Sequence, residues 1–183
     1  MKTGLKQASA DQHIAVLARR LQIVTRRTLP LFVRIRNDRF YAIRLVRAIK
    51  EVNFARVEQL VKQVMPNAAA VSVGAGFSAG LNLGTQTFDV GIFRPGHKIR
   101  TNDIRAVSRI MLPLLRRIAT DRNFARRIAR QFVRGRQAAL LRSARTVVSA
   151  ERVGNATIDN YGFSFVVRLP AGASYNFVFG IME

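Results

Sequence analysis

Two stretches decide how this chain is read: residues 21–49, LQIVTRRTLPLFVRIRNDRFYAIRLVRAI, and residues 104–132, IRAVSRIMLPLLRRIATDRNFARRIARQF. At a constant shift of 83 residues they share Arg26/Arg109, Leu29/Leu112, Pro30/Pro113, Leu31/Leu114, Arg34/Arg117, Ile35/Ile118, Asp38/Asp121, Arg39/Arg122, Ala42/Ala125, Arg44/Arg127 and Arg47/Arg130. Arginine richness inflates such a count, but a Leu-Pro-Leu triplet and an aspartate at one offset do not follow from composition. The spacing predicts a tandem duplication.

Working outward, GFSAGLNLGTQTFDVGIF from Gly76 and GFSFVVRLPAGASYNFVFGI from Gly162 both open on Gly-Phe-Ser and close on Phe88/Phe177, Gly91/Gly180 and Ile92/Ile181. Valine, phenylalanine and leucine alternate with small polar residues over Ala70–Phe93, with a counterpart over Thr157–Met182, the period-two pattern of a strand, with turns expected near Gly84 and at Leu169–Gly172. The chain therefore reads as an N-terminal extension (1–10), a first copy (11–93) and a second (94–183), each made of helices followed by a β-hairpin. The fold class is α+β, with the hairpins pairing into a four-stranded antiparallel sheet covered by helices and the copies sharing one core.

Ile104, Val107, Ile110, Met111, Leu114, Leu115 and Ile118 recur at spacings of three and four, one apolar helical stripe. Pro30 and Pro113 predict a kink or short break, because an interior proline removes an amide donor and crowds the preceding turn. Asp38 and Asp121 precede fresh periodicity and read as N-caps rather than as a paired acidic site. Asn53 caps a further helix over 54–64. Gly135 ends the corresponding helix of the second copy, and a last helix spans 136–150.

The formal net charge is +21 in 183 residues, with lysine only at positions 2, 6, 50, 62 and 98. A hydrophobic content of 49% excludes a disordered basic tail. Charge is segregated: residues 1–65 carry 14 basic against 4 acidic side chains and residues 94–152 carry 16 against 3, whereas the hairpins are nearly neutral. Such an excess implies an anionic partner or an interleaved assembly, and arginine offers a planar fork suited to phosphate or carboxylate.

With no cysteine, disulfides and thiolate chemistry are absent. His13 and His97 are unmatched between the copies and read as structural or solvated. No phosphate loop, dinucleotide fingerprint, HExxH or GxSxG is found, and the run from Gly74 to Gly84 reads as hairpin rather than phosphate cradle. Phe32, Phe40, Tyr41, Phe54, Phe124 and Phe132 mostly fit the apolar stripe, so core packing is favoured over base stacking. Neither catalytic residues, metal nor cofactor are expected.

The expected function is that of a non-enzymatic structural or assembly protein that forms homo-oligomers and binds a polyanion, nucleic acid without sequence specificity. The alternatives are an amphipathic protein on anionic membrane lipid and a lattice protein paired with an acidic protein partner. Anion contact is assigned to the duplicated arginines: Arg26, Arg34, Arg39, Arg44, Arg47, Arg109, Arg117, Arg122, Arg127 and Arg130. The expected location is intracellular, soluble or within a large assembly, since no signal peptide or membrane-spanning run is read.

Overall fold

A computed structural model describes residues 2–182, with side chains at 11–69 and 71–182. The chain runs α1 (Lys2–Asn37), α2 (Arg39–Lys50), α3 (Phe54–Lys62), β1 (Ala70–Val73), β2 (Gly76–Leu83) and β3 (Gln86–Phe93). The same order follows again: α4 (Thr101–Thr120), α5 (Arg122–Val133), α6 (Gln137–Arg145), β4 (Val153–Asp159), β5 (Gly162–Arg168) and β6 (Ser174–Met182). The architecture is α+β.

Each helical joint is built the same way. Asp38 accepts the Tyr41 amide at 2.8 Å and the Arg34 guanidinium at 3.0 Å. Asp121 accepts the Phe124 amide at 2.9 Å and the Arg117 guanidinium at 2.8 Å. The N-cap bond accounts for the change of helix direction, because it satisfies one of the orphan amides of the next helix. It also holds both carboxyls below their ordinary range, the backbone amide being the largest influence. Asn53 caps α3 as expected, through the Arg56 amide.

Four sequence expectations are corrected. The helices run unbroken through Pro30 and Pro113, so neither proline ends an element. Both rings are exposed, and only one ladder bond is lost at each. The helices expected over 54–64 and 136–150 are shorter, α3 and α6. The sheet has six strands rather than four, because 70–73 and 153–159 add an outer strand to each hairpin. Phe40 and Phe54 lie outside the core, at 78% and 50% exposure.

The strand order is β1-β2-β3-β6-β5-β4, all antiparallel, so the two hairpins meet edge to edge at β3 and β6. That central ladder is symmetric about the pair Val90↔Phe179. The outer ladders are not equivalent: Phe77 lies opposite Ile92, whereas Phe163 lies opposite Phe179, two residues short of Ile181. A slip of two, unlike a slip of one, leaves every side chain on its original face. Gly84 (φ 73°) and Gly172 (φ 81°) make the hairpin turns possible, since only glycine adopts that region without strain.

One sheet face carries Phe77, Phe88, Phe163, Phe165, Phe177 and Phe179, all buried, and the helices pack on it. Phe32 of α1 reaches Phe177 with ring centroids 5.3 Å apart. Above them α1 crosses α4, and each helix donates a guanidinium to the last turn of the other: Arg26 Nη2 to the Ala119 carbonyl at 3.0 Å, Arg105 Nε to the Arg36 carbonyl at 3.2 Å. Cations are favoured there because the final carbonyls of a helix lack internal donors. The opposite face, with Ser72, Asn82, Asn155, Thr157, Ser164, Val166, Asn176 and Val178, is half-buried to exposed. At its centre the buried Asp89 accepts Ser78 Oγ, and burial pushes its carboxyl up.

Candidate functional site

All ten arginines assigned to anion contact are exposed, but they do not act as one set. Arg34 and Arg117 are committed to the helical joints, where each also stacks on an aromatic ring, Tyr41 at 5.4 Å and Phe124 at 5.9 Å. Arg26 is committed to the end of α4. The side chains of Arg39, Arg44, Arg47, Arg109, Arg127 and Arg130 form no ion pair or hydrogen bond among the described residues. With α2 packed on α4 and α5 on α1, the ten repeated arginines are spread over four helices, α1, α2, α4 and α5, instead of converging.

Convergence occurs where the two halves differ. In the second half Pro95 and Gly96 (φ 73°) forbid a helix before Thr101. In the first half α1 continues back to Lys2, well beyond Ala18, the position that matches Thr101 at the 83-residue shift. This additional length of α1 lies against α5. Between them runs a groove of about 510 Å³, lined by Gln12, Ala15, Val16, Ala18, Arg19 and Gln22 of α1 and by Arg122 and Arg126 of α5.

Ala15 and Ala18 keep the floor of the groove low, while three guanidinium groups and two carboxamides supply hydrogen-bond donors around it. No carboxylate lines it, and Asp121, next to Arg122 in sequence, is already held by Arg117 and the Phe124 amide. A groove of donors without an internal counter-ion suits the oxygens of phosphate or sulfate esters, which arginine meets with paired N–H groups.

Of these three arginines the 83-residue sequence match singles out only Arg122. Arg19 and Arg126 match Asn102 and Ile43 at the same shift, so a search for repeated residues passes over them. The usable signal was the helical run before residue 18, which has no counterpart around Pro95–Gly96. Among the described residues there is no cluster of three or more metal-ligating side chains, and no helix is long and apolar enough to cross a membrane. No protein-family model, curated protein or solved structure matches the chain.

Proposed function

We propose that this is a non-enzymatic, strongly basic binding protein that takes a polyanion, nucleic acid without sequence specificity, along the α1–α5 groove. The observation that carries the reading is the meeting of Arg19, Arg122 and Arg126 in one groove with no carboxylate in its lining. Three cations lining one groove offer contacts to successive phosphates, whose binding is driven by counter-ion release and is indifferent to base order. The membrane-surface alternative is disfavoured, because the apolar stripes it would need, such as Val107, Met111, Leu114 and Leu115, are wholly buried in the core.

The same reading includes origin by tandem duplication and self-association. Duplication is supported by the repeated element order, the twin Asp-capped joints and the reciprocal guanidinium contacts between α1 and α4. Self-association is supported by a sheet face that no helix covers among the described residues and by the outer strand edges of β1 and β4, the latter capped at its start by Arg145, which donates to the Val153 and Gly154 carbonyls.

The test is fluorescence anisotropy with mixed-sequence DNA and RNA over a salt series, on the natural chain and on a variant carrying Arg19→Gln, Arg122→Gln and Arg126→Gln. Binding that weakens steeply with salt, and less steeply in the variant, is the expected result. Weak, salt-insensitive binding by the natural chain refutes the proposal.

A further inference from the structure

We propose that a cleft beside the groove receives an unpaired base, so that the protein prefers single-stranded nucleic acid. This rests on the polyanion reading and adds the class of strand to it. The cleft is about 600 Å³ and is framed by His13, Val16 and Arg20 of α1, by Tyr161 in the β4–β5 turn and by Met182 at the end of β6. Val16 lines both the cleft and the arginine groove, which places them on adjoining sides of one stretch of helix. The size falls within the range of small-molecule sites, about 300–1,000 Å³.

Apolar groups are displayed at this cleft instead of being hidden. Of the seven large hydrophobic side chains exposed among the described residues, three, Val16 (44%), Tyr161 (73%) and Met182 (40%), lie on its lining, while Phe40, Val52, Phe54 and Val133 stand elsewhere. Tyr161 is the most informative of them. Its amide donates to Asp159 Oδ1 at 2.8 Å, and its carbonyl accepts the Ile181 amide at 2.7 Å. The backbone is fixed on both sides while the ring faces solvent, so stacking a base on it sacrifices little ordering entropy.

The charge in the cleft is also fixed. Arg20 is half-buried, lies 5.7 Å from the centre of the Phe88 ring and donates to Gln86, and it forms no ion pair among the described residues. With Asn160 it provides donors toward the carbonyl and ring-nitrogen acceptors of a base. In a duplex those bases are stacked and paired, and none can reach Tyr161 without being unpaired first. A strand whose phosphates follow Arg19, Arg122 and Arg126 can turn one base across Val16 into the cleft.

The experiment compares labelled oligothymidine, a DNA duplex and heparin by anisotropy at one low salt concentration, using the natural chain, Tyr161→Ala and Tyr161→Phe. Tyr161→Ala is expected to weaken oligothymidine binding roughly tenfold, the order of one lost base–aromatic stack, and to leave duplex and heparin unchanged. Tyr161→Phe keeps the stack and the affinity. A second reading comes from intrinsic fluorescence. Tryptophan is absent, and of the three tyrosines Tyr41 and Tyr175 are buried, so oligothymidine should quench an exposed tyrosine component that Tyr161→Phe lacks. The proposal is overturned if Tyr161→Ala, folded by circular dichroism, binds oligothymidine as the natural chain does and no quenching occurs. Failure of all three polyanions to bind removes the polyanion reading itself, and this inference with it.

Discussion

Glutamine at positions 19, 122 and 126 removes three charges from one groove, and the structure sets the size of the effect. Each phosphate neutralised on duplex DNA contributes about 0.9 to the slope of log affinity against log salt, so three contacts contribute about 2.7. Between about 50 and 200 mM salt that part of the slope alone amounts to roughly a fortyfold change in affinity, which the variant should no longer show. The control is Arg39→Gln, Arg44→Gln and Arg47→Gln on α2. It lowers the net charge equally but leaves the groove intact, so it weakens long-range attraction while keeping most of the slope. Both variants are read by anisotropy against the same duplex. Equal losses of slope would falsify the groove as the seat of binding and leave only diffuse charge.

Three other outcomes follow from particular residues. Val52 adopts φ 50° just past the C-cap of α2, Glu51, where the matching residue past the C-cap of α5 is Gly135 at φ 61°. Val52→Gly should therefore stabilise the protein by about 1 kcal/mol and Gly135→Val destabilise it by a similar amount, both measured by urea unfolding; a destabilising Val52→Gly would contradict the strain argument. Burial raises the Asp89 carboxyl above its unfolded value, so its contribution to stability is fully present below the unfolded pKa and is lost as pH rises through the folded one. Asp89→Asn should accordingly raise the melting temperature at pH 7 but not at pH 3, and a loss at pH 7 would show that the ionised form is the better accommodated. Val166→Arg with Val178→Arg places charge on the outward sheet face; if that face carries the proposed self-association, the natural chain sediments as an oligomer and the variant as a monomer, and equal sedimentation of the two refutes that face as the seat of association.

Much of the fold could be read locally. Asp38, Asp121 and Asn53 announce their helices because a cap bonds an amide three residues on, and Gly84 and Gly172 announce their turns because few residues tolerate positive φ. The outer strands were harder to see. Residues 70–73 alternate but are too few to mark a separate strand, and the alternation in 153–159 is disturbed by an irregularity between Val153 and Asn155. The break expected at the prolines does not occur because a helix interior can absorb one missing amide when the ring points to solvent.

The candidate site was only partly legible. Repetition identified arginines used twice, and a residue used twice is often structural, as Arg34 and Arg117 prove to be. Composition and periodicity by themselves determined an α+β chain with cationic helices and a nearly neutral sheet, because charge and hydrophobic period are properties of neighbours in sequence. Which guanidinium groups share a groove, and which aromatic ring stands at its side, was decided by the docking of α1 on α5 and of the β4–β5 turn beside them. Those contacts join residues more than a hundred positions apart, and they depend on how one helix face meets another, which no local pattern encodes.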